Sequence, residues 1–313
     1  MVRFPRAVSL PIVSKKSGRK AGPRAGRTRA ERAPRPAVIS RPFEGLAGEC
    51  DLVALREFVP SATAQLTLAE PGRPVLLGTV LPMASAALVR AGDDDGAAET
   101  GIVGLQVQNR SEDLSRDLGA AIAWSRGAEP GQSLDAVDTS EPSANPRTQD
   151  LLDPTAELDI TVHADFGWWL PEGQTPTGEV ALSLERANDA IMPTALLEAD
   201  GVRSAWWVDA GERAHLRWVR PEDEDALMLA LARVHSAGGL TLGEGSRYAG
   251  SFRAHGLLVP VFDLDRDKHA QEWAQATAAL GTALAEALAV DEPLTAEQRR
   301  SRDGLRNRQV TIR

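Results

Sequence analysis

Residues 205–237, AWWVDAGERAHLRWVRPEDEDALMLALARVHSA, decide how the fold is read. Trp206, Trp207 and Val208, then Ala214, Leu216, Trp218 and Val219, form two β-favouring runs. Between them Asp209-Ala210-Gly211-Glu212 supplies a tight turn, with a glycine free to take positive φ. Leu216 and Trp218 alternate with Arg217, so one strand face is expected to be buried and the other wet. Pro221 suits a first helical position, where its missing N–H is no loss. Glu222, Asp223, Glu224 and Asp225 place negative charge at the positive end of the helix dipole. Leu227, Ala230, Leu231 and Val234 recur at helical spacing, and Gly238-Gly239 stops the run. The stretch reads as a β-hairpin feeding an acid-capped amphipathic helix.

Working outward, a glycine-rich loop is expected over 243–256, a strand over 257–264 and a long Ala-rich helix over 267–289. Thr295 and Gln298 have capping-box spacing for a short last helix, and 309–312 suits an edge strand. Upstream, 158–162 reads as a strand, 178–191 as a helix and 194–198 as another strand. The first half repeats this grammar: a helix over 49–59, strands near 64–68, 75–81, 86–90 and 101–108, then a helix opened by Glu112-Asp113. Ala87-Leu88-Val89-Arg90-Ala91-Gly92 parallels Trp206-Trp207-Val208-Asp209-Ala210-Gly211, and Glu112-Asp113 parallels Glu222-Asp223. The expected fold is therefore α+β: two related helix–antiparallel sheet–helix units, consistent with an internal duplication. The expected division is a disordered basic tail (1–40), a first unit (41–127), a linker (128–157), a second unit (158–290) and a basic C-terminal helix and strand (291–313).

Of the 313 residues 42% are hydrophobic, enough for a sizeable core. Cys50 is the only cysteine, which excludes an intramolecular disulfide or a multi-cysteine zinc site and suits a reducing cytoplasm. No apolar run approaches the roughly 20 residues that a membrane-spanning helix needs. Ala7–Val13 is broken by Ser9 and Pro11, so a secretory leader is not expected. The net charge of −9 conceals an asymmetry: residues 1–36 hold eleven Lys/Arg against one acid, Glu31, so the body is strongly acidic. Lys15, Lys16, Arg19, Lys20, Arg24, Arg27 and Arg29 are the candidate nucleic-acid contacts, because clustered cations gain affinity by releasing counterions. No aromatic interleaves them, so base stacking has no platform there.

The chain lacks the patterns of common chemistries. Gly243-Glu244-Gly245 has Tyr248 where a dinucleotide fingerprint needs its third glycine. Gly245 and Gly250 have phosphate-loop spacing, but Ser251-Phe252 follows where the gripping lysine belongs. Asp263, Asp265 and Asp267 imitate a calcium loop, yet Lys268 stands where glycine is required, so they read as a strand exit and a helix start. No catalytic residue, metal ligand or cofactor is assigned. One polar constellation is a candidate ligand site: His215 and Arg217 in the hairpin with Arg247, Tyr248, Arg253 and His255 in the glycine-rich loop. Arginines grip carboxylates or phosphates and histidines titrate near neutrality. The alternative is that these cations pair with the acids of the body. Trp168, Trp169, Trp206, Trp207 and Trp218 are expected mainly in the core, with an aromatic partner groove as the other reading.

The stretches RPFEGLAGECDLVALREFVPSATA (41–64), SRDL (115–118), TQDLLDP (148–154), LRWVRPEDEDAL (216–227), GEGSRYAGSFRAHGLLVPVFDL (243–264) and RQVTIR (308–313) resemble an actinobacterial family defined as a domain of unknown function. Its members have carried the automatic labels preprotein translocase SecA and topoisomerase. Neither suits a chain without a Walker pair or a cysteine-built zinc tail. The second half's order of elements is also similar to secretion-chaperone-like folds of the YbjN type, which implies a protein-binding role. The leading expectation is a cytoplasmic, non-catalytic protein-binding protein, chaperone- or adaptor-like. The alternatives are a nucleic-acid-associated factor using the tail, and a small-anion binder or enzyme using the His/Arg cluster.

Overall fold

The computed structural model describes residues 40–92, 98–171 and 173–311. The basic tail and its candidate nucleic-acid contacts lie outside these. Among the described residues the chain runs α1 (Glu49–Glu57), β1 (Ala62–Leu66), β2 (Val75–Gly78), β3 (Ala87–Arg90), β4 (Thr100–Gly104), α2 (Leu114–Gly127), β5 (Ser133–Leu134), α3 (Thr148–Leu151) and β6 (Ile160–Val162). It continues through α4 (Gly178–Asp189), β7 (Thr194–Leu196), β8 (Ala205–Asp209), β9 (Ala214–Trp218), α5 (Glu224–Ser236), β10 (Ser246–Ala254), β11 (Leu257–Leu264), α6 (Ala274–Leu288), α7 (Ala296–Arg306) and β12 (Gln309–Thr311). The fold is α+β, with two six-stranded sheets ordered β5-β3-β4-β2-β1-β6 and β12-β10-β11-β9-β8-β7. No described helix is long and apolar enough to cross a membrane.

The hairpin of 205–218 forms as its turn chemistry dictates. Ala205 pairs with Trp218 and Asp209 with Ala214, and Gly211 takes a φ of 89° in the turn. The helix after it starts later than expected. Pro221 and Glu222 precede it, and Asp223 is the cap, its carboxylate accepting from the N–H groups of Asp225 and Ala226. Glu222 instead meets Arg220. The capping box of Thr295 and Gln298 is present at the start of α7. The expected glycine-rich loop is corrected: 246–254 is strand β10, paired along β11, with an irregularity between Tyr248 and Gly250. His255 (φ 47°) and Gly256 (φ 78°) make the two-residue turn, the left-handed pair that a tight hairpin requires. The expected 267–289 helix begins as a single tighter turn at 270–273 before α6.

One face of the second sheet carries Ala214, Leu216, Trp218, Phe262 and Leu264 into a core with α5 and α6. The other face does not belong to the second half alone. Trp206, Val219, Ala254, Leu257 and Val259 share a core with Leu52, Val53 and Leu55 of α1 and with Leu66, Val75 and Val103 of the first sheet. The expected linker is likewise corrected. Within 128–157, β5 pairs with β3, Thr148 is fully buried, and its hydroxyl donates to the Ser115 carbonyl at 2.7 Å. Its polar sequence hides this role because side-chain hydrogen bonds to α2 accompany the few apolar residues, Val137 and Leu152 among them, that it buries. The two sheets also differ in connection: β2 and β4 pair in parallel, whereas β9 and β11 pair antiparallel. Across the sheets β1–β5 occupy the same order as β8–β12, but the direction of pairing differs at β2/β4 against β9/β11 and at β3/β5 against β10/β12, so the sequence likeness between the halves is not matched by a shared topology.

Candidate functional site

The six candidate residues are not one cluster, because strand alternation divides them. Tyr248 faces the helix-covered core, edge-on to Phe262 at 5.4 Å. Arg253 pairs with Glu224 at the start of α5, and Gln309 donates to the same carboxylate. His215 and Arg217 lie on the opposite face, opposite Asp263 and Val261 of β11. Arg247 reaches that side too, its guanidinium 2.6 Å from Asp263. His255 sits in the turn, donating to Glu57 of α1 at 2.7 Å.

What the far side of the sheet leaves open is a cleft of about 250 Å³, lined by Glu57, Phe58, His215, Arg217, Phe252 and Val261. The core covers the rest of this face through Trp206, Val219, Ala254, Leu257 and Val259. Phe58 and Phe252 meet edge to face at 6.3 Å, and the Arg217 guanidinium lies over the Phe58 ring at 5.5 Å. Burial pushes Arg217 below the usual arginine range, and no neighbouring charge counters the shift. Burial also lowers His215, with Arg217 and Arg213 adding to the effect and Asp263 opposing it, so the ring is neutral at pH 7. His215 Nδ1 stands 3.2 Å from Asp263 but is not aligned for a hydrogen bond.

A second, larger hollow of about 570 Å³ lies where the edge strand of one sheet nears that of the other. Ile160 and Val162 of β6, Ala195 and Leu196 of β7, and Ile191 beyond α4 give it an apolar lining, with His163 and Asn188 as polar members. Asn188 accepts from the Phe166 N–H at 2.9 Å, and His163 meets the Thr63 hydroxyl at 2.8 Å. Helix α4 itself buries none of its residues. Val180 is 56% exposed and Leu182 52%. Nearby, Trp168 and Trp169 are anchored by their indole N–H groups to the Ser61 hydroxyl and the Val80 carbonyl, both at 2.9 Å. Trp206, Trp207 and Trp218 are core residues.

Among the described residues no group of three or more His, Cys, Asp or Glu side chains is placed to hold a metal ion. Sequence reasoning missed Glu57, Phe58, Phe252 and Val261 in the cleft. They are apolar or commonplace residues, Phe252 and Val261 inside β10 and β11 and Glu57 and Phe58 at the end of α1, and only the packing of α1 on the second sheet brings the last two to it. The hollow at β6 and β7 carries no local signal either, since it arises between two sheet edges.

The chain belongs to a family of unknown function (DUF5926), whose model matches residues 42–313. That span contains both the cleft and the hollow and leaves out the basic tail. No curated protein and no solved structure matches the chain.

Proposed function

We propose that this member of the family is a non-catalytic, chaperone- or adaptor-like protein that takes an apolar segment of a protein partner along α4 and the hollow between β6 and β7. The observation that carries this reading is α4: a helix with no buried residue, which leaves Val180 and Leu182 exposed and whose C-terminal end, at Asn188 and the following Ile191, lines an apolar hollow. A surface helix ordinarily buries its large apolar side chains, and such side chains left in water mark a place for a partner. The order α4–β7–β8–β9–α5–β10–β11–α6, which resembles that of secretion-chaperone-like folds of the YbjN type, adds a fold-level analogy in its favour. The lone cysteine suits a cytoplasmic location, and the arginine-rich, lysine-poor composition suits an actinobacterial source.

The test uses a labelled, reduced and carboxymethylated α-lactalbumin as an unfolded probe, followed by fluorescence anisotropy. The wild-type chain is expected to bind it, and Val180→Asp with Leu182→Asp to weaken binding at least tenfold with an unchanged melting temperature. Each buried aliphatic side chain is worth about 1.5–3 kcal/mol, so losing even one is easily read. Absence of wild-type binding, or equal binding by the variant, sinks the reading.

The charge contrast between residues 1–36 and the acidic body favours nucleic acid as a second partner class. Deleting residues 1–37 tests it. RNA or DNA retention at low salt that survives the deletion removes the tail from consideration.

A further inference from the structure

Arg217 is a half-buried cation at the wall of the cleft. Among the described residues no carboxylate or carbonyl accepts a hydrogen bond from it; its recorded partner is the Phe58 ring. The acids around the cleft are already engaged. Asp263 is met by Arg247 at 2.6 Å, His215 at 3.2 Å and Arg213 at 3.5 Å. Glu57 accepts from His255 at 2.7 Å and lies 3.7 Å from Arg56. The half-buried guanidinium lines the open cleft, where an incoming anion would meet it partly shielded from bulk water and so less screened. The remaining walls, Phe58, Phe252 and Val261, are apolar.

We propose that this cleft binds a small organic monocarboxylate with an aromatic or branched body, the carboxylate held by Arg217 and the body lying against Phe58, Phe252 and Val261. The planar guanidinium matches a carboxylate in bidentate fashion. A volume of about 250 Å³ suits a body of one ring and little more. Glu57 at the wall repels a second negative charge, which selects against dicarboxylates and dianionic phosphate. Arg217 and Val261 belong to the second sheet and Phe58 follows α1, so the ligand would bridge the two halves of the chain. The site is separate from α4 and the β6–β7 hollow, and it stands or falls independently of partner binding there.

Isothermal titration of the full chain with phenylacetate tests the proposal, alongside phenylacetamide (same shape, no charge), succinate (a second charge) and inorganic phosphate (no apolar body). Saturable phenylacetate binding is expected at Kd values up to about 1 mM, with none of the other three approaching it. N-acetylphenylalanine forms a further arm: preference for it over phenylacetate reassigns the carboxylate to a peptide C-terminus and overturns the free-acid reading. Arg217→Met is expected to weaken phenylacetate at least tenfold and Arg217→Lys to weaken it less. Val261→Trp fills the cleft without touching the charge and is expected to abolish binding, so the proposal remains testable if Arg217→Met does not fold. Equal affinity for phenylacetamide or phosphate, no phenylacetate binding by the wild type, or binding that survives in folded Val261→Trp overturns it.

Discussion

The imidazole Nε2 of His255 lies 2.7 Å from the carboxylate of Glu57, although 198 residues separate the two in the chain. The contact ties the β10–β11 turn to the last residue of α1, beside the cleft at Arg217. It holds the Glu57 carboxyl below its ordinary value of 4.5, chiefly through the hydrogen bond from His255 and against the opposing effect of burial. A carboxyl lowered in the folded state contributes stability that is complete above pH 4.5 and fades as pH falls through the lowered value. Glu57→Gln is therefore expected to cost about 2 kcal/mol at pH 7. Urea melts at descending pH should show wild type and variant converging in acid; a gap independent of pH contradicts the assignment.

Cys50 follows the first residue of α1, and burial pushes its thiol up to about 12, with the charges of Glu49, Asp51 and Glu222 acting in the same direction. Because the thiolate is the reacting species, alkylation by iodoacetamide at pH 8 should be slower than for a free cysteine by on the order of a thousandfold. Mass spectrometry of timed quenches measures this. Labelling at the rate of a small thiol contradicts the buried environment.

Gly119 lies on the α2 face that meets the segment expected as a linker. A methyl group there would overlap the Pro146 carbonyl oxygen, whereas at Gly127, the last residue of the same helix, it would meet nothing within 4 Å. Gly119→Ala is expected to destabilise the protein by about 1–3 kcal/mol. Gly127→Ala is expected to be neutral or mildly stabilising, since alanine favours helix by up to about 1 kcal/mol. Thermal melts of the pair decide whether 128–157 is packed. Equal behaviour of the two variants argues that it is not.

A fragment of residues 158–313 should not fold as a well-packed unit. It strips α1 and strands β1–β5 of the first sheet from Trp206, Val219, Ala254, Leu257 and Val259, which share a core with them. Strong binding of a hydrophobic dye and poorly dispersed amide resonances are expected. A sharp, dispersed spectrum from the fragment contradicts the shared core.

The sequence by itself determined the features that near neighbours in the chain decide. The 205–218 hairpin, the acidic start of α5, strand β11 and the Thr295 capping box rest on alternation, turn glycines and helix-end hydrogen bonds, all acting within a few residues. It misjudged 243–256 because glycines usually signal a loop. Here Gly250 lies in a strand irregularity where the backbone of Arg308 comes so close that a side chain would clash. It joined six polar residues that the pleat of the sheet separates onto two faces, leaving His215 and Arg217 at the cleft and turning Tyr248 and Arg253 toward the helices. Only the tertiary structure decided which face of the second sheet α1 would cover and which part would stay open. Local sequence cannot carry that information, because the apolar stretches concerned have no preference among distant partners until the whole core closes around them.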